Sequence, residues 1–357
     1  MRRGGVALAL LGAIVGAGFA SGSEVLCFFS RFGAAGWLGV LTACALTGAC
    51  AYVMMRAAGV RGAASFPALY RAACGPWLAR AAAVLYGALM AMSAGAMTAA
   101  FAELAALTLP IRDAYAAGFA LAILLGVVCS RRDLALLSGL GRALLPLLLA
   151  LLVLLLSLEG GGEPRVRLTG TARACAPAFG ALYAAMNLGM ISGLLCEAGA
   201  RLTARESARE AAWLCAMLLA LLALAHAALL RHGDSVERSA LPLIALSMRL
   251  GTPGYALCAA ALALSVLSTL AASLRALRST LALPQGMGDA LCAGCCAVCG
   301  ALGFERLVGR CYPLLGCACA ALLLALCIRL LTDRRERMRV PGAESESGPF
   351  QSRLDRV

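Results

Sequence analysis

The sequence predicts an all-α integral membrane protein with about ten transmembrane helices. Of its 357 residues, 62% are hydrophobic and 14% are charged, whereas soluble globular domains contain about 25% charged residues. Apolar runs of roughly 20 residues, enough to cross a bilayer, recur along almost the whole chain. A large soluble domain is therefore excluded, and any site must lie within the membrane or in short loops.

The predicted spans divide the chain into one membrane domain, residues 1–331, and a cytoplasmic tail, residues 332–357. The tail is rich in Arg, Glu, Ser, Gly and Pro, a composition typical of disorder. Segments 58–76 and 238–250 are short and partly amphipathic, which predicts that they lie along the membrane surface. The apolar runs cover residues 6–30, 34–56, 78–107, 114–129, 135–157, 174–196, 211–230, 253–277, 288–304 and 311–331.

The basic residues act as topology signals in this interpretation. The net charge is +13, but all 31 basic residues are Arg and they are spread between the apolar runs. Nucleic-acid binding proteins instead concentrate basic residues on one face, so no nucleic-acid partner is expected. With the N-terminus inside, 21 Arg fall on the cytoplasmic side and ten on the other. The positive-inside rule then places both termini in the cytoplasm.

Cysteine is abundant but does not indicate a metal centre. The chain contains 17 Cys and only two His. The closest spacing is at Cys292, Cys295, Cys296 and Cys299, on a predicted helix rich in Ala and Gly, with no polar loop to close around an ion. Free Cys in such a setting is usually a small buried hydrophobe. We therefore expect no zinc site and no organic cofactor.

The N-terminus allows two interpretations. Met1-Arg2-Arg3, an apolar stretch and Gly18-Phe19-Ala20 together resemble a signal peptide with its small-residue cleavage site. Apolar character resumes after Glu24, however, and the stretch from Val6 to Phe32 is longer than a signal requires. A first transmembrane helix is the preferred interpretation.

Two of the predicted spans contain helix-breaking sequences. The first carries Gly16-Ala17-Gly18-Phe19-Ala20-Ser21-Gly22, and the sixth carries Asn187-Leu188-Gly189-Met190. Interrupted helices at corresponding positions of two five-helix halves, here 6–157 and 174–331, are typical of inverted-repeat transporters with a site at the bilayer midplane. The alternative is that these glycines only permit close helix packing, and for the sixth span the two interpretations have equal weight.

A break in the first span would present two different ends to the midplane. A half-helix ending near Val15 points carbonyls and a negative dipole end inward, which suits a cation. A second half-helix starting near Ser21 presents free N–H groups, which suit an anion. Ser21 or Ser23 is the expected N-cap. Glu24 follows directly, either as an intramembrane group that exchanges protons or meets a cationic substrate, or as a carboxylate that the helix dipole stabilises.

Several segments resemble one family of membrane proteins. They read GAGFASGSE at 16–24, FF at 28–29, FG at 32–33, YAAMNL at 183–188 and YPLLG at 312–316. Together they resemble the YkvI-like bacterial membrane proteins, distant relatives of the amino acid-polyamine-organocation superfamily with the leucine-transporter fold. The resemblance implies a multi-pass protein of the bacterial cytoplasmic membrane. It covers roughly residues 8–330, with Ser23 as a departure where the family pattern has Gln.

The resemblance to sodium-coupled members of that fold implies a cation site. It assigns the carbonyls of Gly12 and Val15, with the hydroxyls of Ser265, Ser268 and Thr269, to a bound sodium ion. A hard cation prefers such oxygen ligands. The alternative is that the hydroxyls bond back to the carbonyls of their own helix.

The same resemblance implies a substrate site. Ala17 and Gly18 would donate to a substrate carboxylate, and Phe19 stands where an amide side chain would hold a second sodium ion. Ser93 in the third span is a candidate for the cavity lining, although a small residue there equally suits helix packing. The predicted substrate-binding residues are Ala17, Gly18, Phe19, Ser21, Glu24, Ser93, Asn187 and Gly189.

These expectations favour a secondary transporter of a small amino-acid-like solute, coupled to sodium or protons, with the lipid bilayer as its other partner. A receptor or partner-binding subunit on the same fold is the alternative. The sequence lacks HExxH and GxSxG motifs and contains no Lys for a P-loop, so an enzyme is not predicted.

Overall fold

The computed structural model describes residues 5–131, 134–158, 173–232, 239–281 and 284–339. All regular elements within these ranges are helical. The α-helices used below are α1 (Gly5–Ile14), α2 (Ala17–Ala20), α3 (Ser23–Phe28), α4 (Gly36–Arg61), α5 (Phe66–Cys74), α6 (Pro76–Thr108), α7 (Ala114–Ser130), α8 (Leu134–Leu156), α9 (Ala176–Gly199), α10 (Ala204–Arg231), α11 (Pro242–Ser247), α12 (Gly251–Leu281), α13 (Gln285–Gly300) and α14 (Tyr312–Arg339).

Short irregular helices join some of these elements. A 3₁₀ segment, Ser30–Ala35, links α3 to α4, and a second, Met248–Leu250, links α11 to α12. A helical turn, Phe304–Arg306, and a π-helical segment, Leu307–Cys311, precede α14.

The helices confirm a multi-pass membrane protein. Within the described residues, six helical segments are long and apolar enough to cross a bilayer, and four shorter apolar helices accompany them. The order of the elements also places a short helix between two long ones twice, α5 between α4 and α6 and α11 between α10 and α12. The count of ten spans and the inverted repeat stay predictions.

The end of the chain corrects one prediction. Disorder was expected from Thr332 onward, but α14 continues to Arg339. The physical reason is local, because Arg, Glu and Met are good helix formers and they extend the final apolar helix. Residues 340–357 lie outside the described residues, as do residues 159–172, which stand between the two predicted halves.

The sixth span is not interrupted, which corrects a second prediction. Helix α9 runs unbroken from Ala176 to Gly199 through both Asn187 and Gly189. The Asn187 side-chain amide donates to the carbonyl of Tyr183 at 2.9 Å, within its own helix. The polar residue therefore does not break the helix, and the glycines of this span serve packing.

Glycine residues allow the backbones of α9 and α4 to approach each other closely. A Cβ atom on Gly180 would lie 2.2 Å from the carbonyl oxygen of Gly39, and one on Gly199 would lie 2.2 Å from that of Met55. Without a Cβ the two backbones approach directly, as in small-residue packing between membrane helices. The two helices are thus held in contact along their length.

A second group of helices surrounds α12. Helices α6, α7 and α8 all pack against it, and α13 packs against α6. Asp289 on α13 pairs with Arg278 of α12 and with Arg131, which follows α7. One carboxylate therefore ties the ends of three helices together.

The first half-helix is fixed at its start by α10. The Glu210 carboxylate, buried on α10, accepts a hydrogen bond from the backbone N–H of Ala7 at 2.9 Å. The first N–H groups of a helix have no partner within it, and a carboxylate at this end is also favoured by the helix dipole. Glu210 thus holds α1 against α10.

Replacing Glu210 by Ala should loosen α1. The buried Ala7 amide would lose its acceptor, which costs about 1–3 kcal/mol, and hydrogen exchange at residues 5–14 should speed up more than elsewhere. Exchange mass spectrometry of the purified protein measures this. The matched control is Glu197→Ala, which removes an exposed carboxylate paired with Arg201 and should change stability by less than about 1 kcal/mol. Equal effects of both variants would contradict the role of Glu210.

Candidate functional site

The first helix is interrupted after α1 because one backbone amide changes its hydrogen-bond partner. In a regular helix the N–H of Gly16 would donate to the carbonyl of Gly12. Instead it donates to Ile14 at 2.8 Å, while Val15 still donates to Leu11 at 2.8 Å. The backbone then extends at Gly16 (φ −86°, ψ −171°). The Gly12 carbonyl thereby loses its helical donor beside the break.

The second part of the break lies at Gly22. This residue has φ 84°, a left-handed conformation that glycine adopts without strain, and it caps α3. The expectation that Ser21 or Ser23 caps a helix starting near Ser21 is therefore wrong: the chain makes the turn of α2 first and restarts at Ser23. A cap that needs positive φ favours glycine over serine.

The two serines have other partners. Ser23 donates from its hydroxyl to the carbonyl of Ala240 at 2.6 Å, and the Ser21 hydroxyl donates to Gly18 at 3.1 Å. The backbone N–H of Leu243 donates to the carbonyl of Ser21 at 2.7 Å. The chain at the start of α11 therefore holds the break in place.

Oxygen atoms of α12 lie against the first end of the break. The Ser265 hydroxyl donates to the carbonyl of Val15 at 3.2 Å. A Cβ on Gly16 would lie 3.4 Å from the Thr269 hydroxyl oxygen. The Ser268 hydroxyl instead donates to the carbonyl of Ser265 at 3.0 Å, within its own helix. The structure thus brings Val15, Ser265 and Thr269 together, whereas Ser268 adopts the alternative arrangement.

The Glu24 side chain folds back over Gly18. A Cβ on Gly18 would lie 2.0 Å from Glu24 Oε1, so only glycine leaves room for the carboxyl group. Glu24 is 4% exposed, and its Oε2 has no hydrogen-bond partner among the described residues. Ala17, Gly18 and Phe19, on the turn that Glu24 covers, are all buried.

Two tyrosine hydroxyls face the same region. Tyr183 of α9 and Tyr312 of α14 are both buried and lie close enough to Glu24 to interact with it electrostatically. The Tyr183 hydroxyl lies beside the Asn187 side chain, and the Tyr312 hydroxyl lies beside that of Ser93. Ser93 lies beside Tyr312 and accepts a hydrogen bond from Ser273 of α12 at 3.1 Å. The unsatisfied Glu24 Oε2 is the polar atom of this region that points to a ligand or water.

Three of these residues were missed by the predicted set. Tyr183 and Tyr312 stand in segments that carry the family resemblance, but were not assigned a role there. Ser273 lies one helical turn after Thr269 on α12, a spacing that puts the two on one face. The periodicity of hydroxyls on α12 was the available signal.

Aromatic side chains close one side of the site. The rings of Phe28 and Phe29 lie 5.4 Å and 5.0 Å from the ring of Tyr183 between centroids. Beyond them the Arg31 guanidinium lies over the ring of Phe179 at 4.3 Å. All three rings nearest the break are fully buried. The break is therefore shut off from this side.

The two residues of α9 that were predicted to bind substrate, Asn187 and Gly189, make contacts away from the broken helix. The amide of Asn187 is used within α9, and the residue is buried. Gly189 packs against its neighbours, since a Cβ there would lie 2.7 Å from Cys319 Sγ and 2.9 Å from Leu89. Neither contact involves the broken helix. Within the part of the chain that the structure describes, no cluster of His, Cys, Asp and Glu could hold a metal ion.

The fold and this site define a class: a multi-pass helical membrane protein built around a broken first helix. Among solved structures, the chain is similar to Mhp1, a nucleobase-cation-symport-1 family transporter, in a closed conformation with bromovinylhydantoin bound. The TM-score is 0.60 at 15% identity, over 93% of this chain and 78% of that one. The chain therefore has the leucine-transporter fold. No family model and no curated protein matches the sequence.

The contact between Gly18 and Glu24 can be tested with a double-mutant cycle. Gly18→Ala should cost about 1–3 kcal/mol through overpacking, and this cost should shrink in a Glu24→Ala background because the clashing carboxyl group is gone. Thermal unfolding in detergent measures both. Gly294→Ala is the control, because nothing lies within 4 Å of a Cβ at that position. An identical cost of Gly18→Ala in both backgrounds would show that the two residues do not meet.

Proposed function

We propose that this protein is a secondary active transporter of a small amino-acid-like organic solute, driven by a sodium or proton gradient. The observation that carries the proposal is the break in the first helix. Its backbone meets hydroxyls of α12 on one side and a buried carboxyl group with tyrosine hydroxyls on the other. Irregular backbone at membrane depth is tolerated where it is buried in protein or lines a cavity, and transporters use such breaks to bind ions and solutes.

The similarity in fold supports this proposal. One solved structure that is similar in fold is described as a nucleobase-cation-symport-1 family transporter with bromovinylhydantoin bound. Fold alone does not determine function, so the argument depends on the site. The similarity in fold and the residues of the site both support a solute and a cation that bind near the break in the first helix.

The proposed sodium ligands are oxygens without formal charge. The Gly12 carbonyl has lost its helical donor, and Val15, Ser265 and Thr269 lie together at the break. Ser265 donates to Val15, so a bound cation would require its hydroxyl to turn its oxygen toward the ion. Ser268 would join by breaking its bond to Ser265. Carbonyl and hydroxyl oxygens are ligands that suit a hard cation.

The closed site implies a two-sided mechanism. Transport requires the site to open to each side of the membrane in turn. On one side the Phe28, Phe29 and Tyr183 rings form the barrier, and on the other α1 is held to α10 by the bond between Ala7 and Glu210. We further propose that the chain lies in a bacterial cytoplasmic membrane with both termini inside, as ten spans in two inverted halves.

Uptake into liposomes tests the proposal directly. Purified protein in sealed vesicles should accumulate radiolabelled amino acids or amines when an inward sodium or proton gradient is imposed, and should stop when the gradient is collapsed with an ionophore. Empty vesicles are the control. Binding without gradient-driven uptake across a broad panel would select the receptor alternative instead.

Sodium binding can be tested separately from uptake. Sodium chloride should raise the melting temperature of the purified protein relative to choline chloride at equal ionic strength, because a ligand at 100 times its Kd stabilises the folded state by about 2.7 kcal/mol. Thr269→Ala should remove most of this shift. Thr280→Ala is the matched control, since Thr280 is exposed on the same helix and its hydroxyl donates to the carbonyl of Ala276, one turn earlier. Sodium stabilisation that survives Thr269→Ala would exclude this site.

A further inference from the structure

A group of arginines lies at the end of the fold where α7 and α12 finish and α13 begins. The Asp289 carboxylate on α13 accepts hydrogen bonds from Arg131 on one oxygen and from Arg278 on the other. Arg275 precedes Arg278 by one turn of α12, a spacing that makes two side chains neighbours on the helix surface. These three arginines and Asp289, called the arginine cluster below, carry a net charge of +2.

Within the part of the chain that the structure describes, Arg275 takes part in no ion pair. Its side chain is half-buried, and the Nε atoms of both Arg275 and Arg278 are buried without a hydrogen-bond partner there. A guanidinium removed from water without an acceptor is costly. The helix dipole does not compensate, because its effect is confined to the last turn and Arg275 lies six residues before the end of α12 at Leu281. Arg275 therefore has donors available for an anion.

The start of α13 adds backbone donors at the same end of the fold. Its N-cap is Pro284, which makes no side-chain cap, so the first N–H groups of this 16-residue helix have no partner within it. Gly286 is exposed, and nothing lies within 4 Å of a Cβ at that position. Asp289 follows about one turn later and connects this helix start to the arginines. Guanidinium groups and helix N-termini both favour anions.

We propose that the arginine cluster and the start of α13 form a binding site for a phosphate group. Phosphate oxygens match the fork of a guanidinium. A phosphomonoester carries a charge of about −1.5 to −2 at neutral pH, which fits the net charge of the cluster better than a single carboxylate does. The proposed topology places this site at the cytoplasmic surface of the membrane, where basic pockets between helices bind phosphate-bearing lipid headgroups. The inference does not depend on transport.

Binding is measured on the purified full-length protein with two sources of phosphate. The first comparison is potassium phosphate against potassium chloride at equal ionic strength. The second is mixed detergent micelles that contain phosphatidylglycerol against micelles that contain phosphatidylcholine. At least one source should raise the melting temperature with a saturable concentration dependence. Hydrogen exchange in the presence of that source should slow at residues 284–290, which locates the site without any substitution.

Three variants test the residues. Arg275→Gln should weaken the apparent affinity ten-fold or more, because it removes the guanidinium that has no acidic partner among the described residues. Arg329→Gln is the matched control, since Arg329 is exposed on α14, and it should leave the affinity unchanged. Asp289→Asn removes the carboxylate that competes for Arg131 and Arg278, so it should tighten binding three-fold or more. Opposite shifts from neighbouring substitutions are not expected from a loss of packing.

The outcomes separate the sources and decide the inference. Stabilisation by phosphatidylglycerol alone supports a lipid headgroup at this site, and stabilisation by inorganic phosphate alone supports a soluble phosphate compound. No stabilisation by either source relative to its control overturns the inference. Equal weakening by Arg275→Gln and Arg329→Gln also overturns it, because the effect would then be one of overall charge. Exchange protection that spares residues 284–290 contradicts it even where a variant fails to fold.

Discussion

The structure depends on one constraint, the cost of unsatisfied backbone polar groups inside a membrane. Each such group costs several kcal/mol in a hydrocarbon environment, so a helix can open only where other parts of the protein supply partners. At the break these partners come from distant parts of the sequence: Ser265 on α12 donates to Val15, and Leu243 at the start of α11 donates to Ser21. The break therefore requires the packing of the later helices, and those helices are arranged around it.

The glycines of this fold have three different structural uses. Gly22 supplies a left-handed turn, Gly18 supplies room for a carboxyl group, and Gly39 with Gly180 lets two backbones touch. These three uses look identical in a composition table. They differ in what a side chain would meet: a strained dihedral angle, a flexible side chain, or a rigid backbone. Of these glycines, only Gly18 makes room for a reactive group at the site, the carboxyl group of Glu24.

Much of the fold was predictable from the sequence because membrane helices carry a strong signal. Apolar runs placed helices such as α6 and α7 within one or two residues of their observed ends, since a bilayer sets their length. The break near Val15 was visible because several glycines cluster there. The predicted break at Asn187 failed because an isolated amide can bond to the preceding turn of its own helix, and nothing local in the sequence shows that it does so. Glu210, Tyr312 and Ser273 were missed because their importance comes from contacts between residues far apart in the chain.

The contact between α4 and α9 has a consequence for how freely this chain can vary. At Gly180 and Gly199 any side chain would collide with a main-chain carbonyl of the facing helix, and a main chain cannot rotate out of the way as a side chain can. A second substitution on the facing helix therefore cannot relieve the collision, because the obstructing main-chain atoms are common to all twenty amino acids. Glycines with open surroundings, such as Gly294 and Gly309, carry no such restriction. In a lineage of related sequences, the seam between these two helices should accordingly be the slowest part of the fold to change, slower even than the side chains of the candidate site, whose chemistry can be retuned one residue at a time.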